Sequence, residues 1–222
     1  MFTRQLKKEV EPIIESIYND SFIQGIIHGN LKKEAVKHYL KADSLYLNEF
    51  AKIYSLLIPK LNDREGIQFL LGQIDFVMNG EVDAHYTLAD YAGVDYKTVI
   101  EEGEWYPSSD HYIKHMYYNA YRYSDASFTI CAMAPCPYVY QQLALKVAER
   151  NDLEGNPLKP WVDFYCTNMD ELIGHLDRWV DEFSETASDE ELNILRKNFV
   201  ESCIHEKRFF NMSYNIETWE GY

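Results

Sequence analysis

The sequence predicts an all-α bundle folded as a single domain, on three observations. Apolar residues recur at three- and four-residue steps over long stretches. Turn signals fall between those stretches, not at the spacing of roughly 8 to 12 residues expected of a β-sandwich. No repeat, low-complexity tract or long linker divides the chain, and 222 residues lie within what one hydrophobic core serves.

The first helix carries Phe2, Leu6, Val10, Ile13 and Ile17 and ends near Asn19-Asp20, with Pro12 expected to kink or restart it. After a turn around Gly25 to Asn30, a long helix runs from about Lys32 to Leu61. It stacks Ala35, Tyr39, Ala42, Tyr46, Phe50, Ile53 and Leu57 on one stripe, with Asp43 beside it. Asp63 caps a third helix that passes through Phe69, Leu70, Ile74, Val77 and Met78 towards Tyr86 and stops near Gly93. Gly103 to Asp110, with Pro107-Ser108-Ser109, reads as a loop before a tyrosine-rich helix from Tyr112 to Tyr123. The next helix is interrupted at Pro135-Cys136-Pro137, where two backbone donors are missing and nearby carbonyls need other partners.

Asn151 to Pro160 is a polar loop, and Asn168 with Glu171 reads as the capped start of a helix ending near Thr186. Ser188-Asp189-Glu190-Glu191 is a capping box. Behind it Leu192, Leu195, Phe199, Cys203, Glu206, Phe209 or Phe210, and Met212 mark the final helix.

Composition narrows the function. With 46% hydrophobic residues the chain is too apolar to be disordered, and its 18 Tyr and 11 Phe suit either helix packing or a pocket for a flat polar ring. A net charge of -15 argues against nucleic acid and anionic membranes as partners. The stretch from Met1 to Lys8 lacks a signal-peptide apolar core, and no later run approaches the roughly 18 apolar residues that span a bilayer, so a cytoplasmic location is expected. Cys131, Cys136, Cys166 and Cys203 form no CxxC pair and no metal-ligand spacing, which makes them free thiols.

The interrupted helix is where chemistry concentrates. Ala132-Met133-Ala134-Pro135-Cys136-Pro137-Tyr138-Val139-Tyr140 sets a thiol at a backbone break and a phenol four residues later on the same face. A cysteine attacks as thiolate and needs a neighbouring acid/base group or positive potential. From spacing alone, an inert buried thiol is the commoner case.

Three segments in order change that reading. They are Tyr39-Leu40-Lys41-Ala42-Asp43-Ser44-Leu45-Tyr46, Pro135-Cys136 with Tyr140, and Asn198-Phe199-Val200 leading to Glu206, Phe209 and Met212. With Tyr112 and Tyr165 between them, the chain resembles the TenA/thiaminase II family over essentially its whole length. The resemblance implies a haem-oxygenase-like helical bundle without a haem, assembled as a homotetramer, with a deep pocket for the aminopyrimidine half of thiamin or of its degradation products. It implies that Cys136 is the nucleophile and Glu206 its acid/base partner, that Asp43 accepts from the pyrimidine's amino side, and that Tyr46, Tyr112, Tyr140, Tyr165 and Phe209 line the site. Tyr46 is expected to act more through its ring than through its hydroxyl. Cys166-Thr167-Asn168-Met169-Asp170 departs from the small, glycine-containing pattern of many relatives, so the pocket is expected to differ there.

Two other classes fit the sequence less well. A metal-dependent oxygenase needs converging carboxylates and histidines, typically with a Glu-x-x-His step, whereas Glu81 and His85 stand four apart. His111 and His115, also four apart, could hold a metal on one helical face, although histidines reach that spacing readily on surfaces. The expectation is therefore no metal and no cofactor. A non-catalytic pyrimidine-binding regulator has little need of a thiol and a carboxyl aimed at one pocket.

Overall fold

The structure is a computed structural model that describes residues 1–80, 82–149 and 153–220. Among these residues every regular element is helical. Helix α1 (Phe2–Tyr18) buries Leu6, Val10, Ile14 and Ile17 on one side. It runs unbroken through Pro12, contrary to the expected restart, because Pro12 lies on the exposed face where water can serve the carbonyl its ring leaves unpaired.

The expected turn at Gly25 to Asn30 is half helix. Asp20 accepts from the Phe22 amide at 3.2 Å and opens α2 (Ser21–Ile27). A Cβ at Gly25 would stand 2.9 Å from the Leu31 Cα, so only glycine lets the chain fold back that closely, and the reversal itself falls at Gly29 with φ +62°. Helix α3 (Lys33–Leu57) follows and ends in a single 3-10 turn, Ile58–Lys60, around Pro59. Its buried face carries Tyr39, Ala42, Asp43, Tyr46, Phe50 and Ile53.

Asp63 caps α4 (Arg64–Asp75) as expected, accepting from Gly66 N at 2.6 Å. The single helix anticipated from there to Gly93 is instead broken by a π-helical turn, Phe76–Gly80, before α5 (Val82–Ala92). At Gly80 a Cβ would meet the Phe76 ring at 2.6 Å, so the ring folds over space that only glycine leaves. A short helix that the sequence reading missed, α6 (Tyr96–Glu101), is capped by Asp95. Helix α7 (Pro107–Arg122) starts earlier than Tyr112, since Pro107 takes the first helical position and Ser109 closes a capping interaction with Tyr106.

The proline break is where it was expected, between α8 (Ala126–Met133) and α9 (Pro135–Ala148). One carbonyl near the break finds a side-chain donor: Ser202 Oγ donates to Ala132 O at 2.7 Å. Part of the predicted Asn151 to Pro160 loop lies outside the described residues. Helix α10 (Lys159–Thr167) was not anticipated, and Asn168 closes its end by donating to Phe164 O instead of capping α11 (Asp170–Ser184). Ser188 and Glu191 form the expected capping box of α12 (Asp189–Asn215).

Helix α12 packs against α1, α3, α7, α8 and α9, while α3 also meets α4, α5, α6 and α7. Side chains from α3, α7, α9, α10 and α12 therefore converge on one interior region. Among the described residues no helix is long and apolar enough to cross a membrane.

Candidate active site

The break positions Cys136. It is the second residue of α9, half-buried, in the first turn where the positive end of a helix favours an anion. Nearby, the buried Tyr46 ring packs on Tyr112 and Phe209 with centroids 5.4 and 5.5 Å apart, close enough to feel the Cys136 thiol. Tyr112, fully buried on α7, donates to Glu206 Oε1 at 2.7 Å. Glu206, which stands in the charged run His205-Glu206-Lys207, is only 2% exposed because its face of α12 turns inward with Phe209 and Phe210.

Burial, reinforced by the nearby thiol and carboxyl, pushes both phenols well above their ordinary range. Tyr46 and Tyr112 therefore stay protonated, and Tyr112 acts as a donor to the Glu206 carboxyl. Tyr46 meets its neighbours through its ring, against Phe50, Tyr112 and Phe209.

A second group of residues closes the pocket. Tyr140 shares a 2.6 Å hydroxyl contact with Tyr39, and burial first, then Tyr39, Asp43 and Glu206, raises its pKa well above normal. Tyr165 on α10 lies against Tyr140 with ring centroids 4.8 Å apart, and Phe209 stands edge-on to Tyr46 and Tyr39 at 5.5 and 5.6 Å. Asp43, 5% exposed, lies one helical turn from both Tyr39 and Tyr46. Its nearest partner is His85 of α5, with Nε2 2.8 Å from Oδ2. The lysines nearest in sequence pair elsewhere, Lys41 with Glu102 and Lys52 with Glu49.

All eight residues singled out from sequence thus share one region. The reading missed Tyr39, which its position four residues before Asp43 on the same stripe could have revealed, and His85, which reaches Asp43 only through tertiary packing. It also missed the apolar approach. Phe50, Phe76, Val77, Tyr165, Met169 and Leu172 line a cleft that leads to Cys136 and holds about 20 Å³ of free space. That is room for about one water, so a ring-shaped ligand enters only if these walls part. Met169 occupies the segment that departs from the small-residue pattern, and it is one of the buried residues that line the cleft.

His111 and His115 do not form a ligand set. They pack against His205 with centroids 4.7 and 5.4 Å away, and among the described residues no group of three or more histidines, cysteines or carboxylates is arranged to hold a metal. Burial first, then the two neighbouring histidines, pushes the His205 pKa down to about 3. This neutral ring stacks on Tyr112 at 5.0 Å and 9°, holding the phenol that serves Glu206. Glu81, paired with His85 in the sequence reading, lies outside the described residues.

A helical bundle with a cysteine, a carboxyl and a cage of tyrosines in one interior pocket defines a class, and the comparisons with known proteins agree. Residues 7–216 match the model of the TENA/THI-4/PQQC family, and the chain belongs to that family. It is 50% identical over 220 residues to the aminopyrimidine aminohydrolase of Staphylococcus saprophyticus, covering 99% of this chain and 96% of that protein. To the aminopyrimidine aminohydrolase of Staphylococcus carnosus it is 46% identical over 220 residues, with the same 99% and 96% coverage. Among solved structures, a TenA homologue from P. horikoshii OT3 superposes with a TM-score of 0.83 at 21% identity, covering 97% of this chain and 99% of that one. A Shewanella denitrificans domain described as having a heme oxygenase-like fold superposes with a TM-score of 0.70 at 17% identity, covering 96% of this chain and 92% of that one. The fold is the haem-oxygenase-like helical bundle.

Proposed function

We propose that the protein is a thiaminase II-type hydrolase acting on C–N bonds, with Cys136 as nucleophile. Its reaction converts 4-amino-5-aminomethyl-2-methylpyrimidine and water to 4-amino-5-hydroxymethyl-2-methylpyrimidine and ammonia. Thiamin is cleaved to the same alcohol and free thiazole as a secondary activity. The observation that carries this reading is the buried hydrogen bond from Tyr112 to the Glu206 carboxyl beside the Cys136 thiol, with the Tyr46 ring packed on Tyr112. Relatives at 46 to 50% identity that are named for this activity support it.

The Cys136 thiolate adds to a ring carbon, and the displaced electron pair settles on a ring nitrogen that receives a proton from Glu206. The ring then expels the leaving group from the methylene arm. An amine must itself take a proton to leave as ammonia, whereas the thiazolium, already cationic, leaves as neutral thiazole. Water adds to the methylene carbon and gives its proton to the Glu206 carboxylate, the ring nitrogen gives up its own proton, which balances the one carried off by the amine, and the S–C bond breaks to restore the aromatic ring and the thiolate. Asp43 holds the amino side of the ring, and the tyrosines and Phe209 supply stacking faces. Salvage of the aminomethyl pyrimidine is the physiological role, since recovering the ring serves a cell better than destroying the intact vitamin. The enzyme acts in the cytoplasm as a homotetramer, and a monomer mass by light scattering would contradict that assembly.

The test is to incubate the purified protein, with no added metal, separately with the aminomethyl pyrimidine and with thiamin, and to follow the hydroxymethyl pyrimidine by chromatography. Product from both, faster from the aminomethyl compound, is expected. Saturable binding with no product from either would make the protein a binder instead.

A further inference from the structure

Asp43 poses a problem that the proposed reaction does not solve. Its carboxylate is 5% exposed in the middle of α3, where removing a charge from water costs several kcal/mol unless donors compensate. His85 stands 2.8 Å away through Nε2 and is itself only 1% exposed. On the far side of that imidazole, Nδ1 lies 3.1 Å from the hydroxyl of Tyr96, which α6 contributes. Tyr96 is held in turn by its own burial and by Tyr86, which meets it edge-on at 5.2 Å. The three groups come from α3, α5 and α6, and the last two helices contribute nothing else to the pocket described above.

We propose that His85 and Tyr96 are positioning residues for substrate recognition, Tyr96 fixing the tautomer and orientation of His85 so that its Nε2 edge keeps the Asp43 carboxyl aimed at the amino group of the pyrimidine. The inference rests on the reading of Asp43 as the amino-group acceptor. A phenol hydroxyl is a donor at neutral pH, and donation to Nδ1 leaves the imidazole proton on Nε2. On that edge of the ring Asp43 Oδ2 stands 2.8 Å from Nε2, which leaves Oδ1 to read the ligand. Without the imidazole the Asp43 side chain can turn away, and that removes an acceptor from the amino group. Neither residue touches the reacting atoms, so the expected loss is in binding and not in the bond-breaking step.

The discriminating probe is a pair of ligands: the hydroxymethyl aminopyrimidine product and the same ring lacking its amino group. Binding of each is measured by calorimetry to the wild-type protein, His85→Ala, His85→Gln, Tyr96→Phe, Asp43→Asn and the Asp43→Asn/His85→Ala double variant. Circular dichroism and melting temperature are recorded beside each. His85→Ala is expected to weaken the amino-bearing ligand roughly 10- to 100-fold, while the ligand without the amino group changes less than about twofold. His85→Gln, whose carboxamide can still donate, recovers part of the loss. Tyr96→Phe costs about three- to tenfold, and the double variant binds no more weakly than Asp43→Asn alone.

Equal losses for the two ligands, or additive losses in the double variant, would reduce His85 to a structural group and overturn the proposal. Should His85→Ala fail to fold, His85→Gln and Tyr96→Phe decide by the same ligand comparison. A wild-type protein that binds both ligands equally would sink the reading of Asp43, and the inference with it. Discrimination that survives in every His85 and Tyr96 variant sinks the inference alone.

Discussion

Two helices of this protein are interrupted, and both interruptions border the cleft that leads to Cys136. At Ala134 the break is covalent in origin. Pro135 and Pro137 lack amide hydrogens, α8 cannot continue, and Ser202 serves the carbonyl of Ala132. The π turn at Phe76–Gly80 contains no proline. Its shape depends on the Phe76 ring folding against Gly80 and reaching Phe164 of α10, 6.4 Å between centroids. The first break belongs to the chain wherever that chain is folded helically, whereas the second exists only when distant helices hold it. A rigid break suits the nucleophile, and a turn held by tertiary contacts suits the wall that must part to admit a ring.

That contrast can be tested hard on its rigid side. Glu206→Gln keeps an acceptor for Tyr112 but removes the proton, so kcat should fall about 10²- to 10⁴-fold while product binding stays within a few-fold. Stopped-flow turnover beside calorimetric binding makes the separation, and a pure loss of affinity would recast Glu206 as a positioning group.

Acid probes the same side through stability. His205 is neutral and stacked on Tyr112 in the folded protein, its pKa depressed to about 3, and burial lowers His115 and His38 as well. The unfolded chain binds these protons near pH 6.5, so stability is full above that pH and drains away as pH falls below it. Between pH 6.5 and 5, His205 alone should remove about 2 kcal/mol in urea titrations, and His205→Asn should flatten the slope. A stability independent of pH over that range would mean that the ring is not held neutral.

The π turn should answer to a smaller push. Gly80→Ala drives a methyl into the Phe76 ring and is expected to cost about 1–3 kcal/mol of unfolding free energy. Activity per folded molecule should change mainly in KM, because Cys136 sits on the other break. Smallest of all, Met169→Ala removes bulk from the cleft wall and should raise the rate on thiamin relative to the aminomethyl pyrimidine by about threefold or more. An unchanged ratio would place the leaving group elsewhere.

The same contrast explains what could be read from the sequence. Pro135-Cys136-Pro137, the caps at Asp63 and Ser188, and the stripe carrying Asp43 and Tyr46 are local signals, and the structure bears out each of them. The π turn, α6 and α10 are short elements whose stability comes from what they pack on, and Asn168, read as a cap for α11, found a better partner in the Phe164 carbonyl. The resemblance to a family brought Cys136, Glu206 and their tyrosines to one site on paper. It could not supply the hydroxyl pair of Tyr39 and Tyr140 or the contact from His85 to Asp43, which depend on how α3 meets α9 and α5.

The central claim is that the thiol held by the proline break performs the chemistry. Formation of the hydroxymethyl pyrimidine by Cys136→Ser, compared with the wild-type protein at equal melting temperature, tests it directly. Loss of at least about a hundredfold in turnover with the fold intact is the predicted result. Near-normal turnover by Cys136→Ser would contradict it and remove the cysteine from the mechanism.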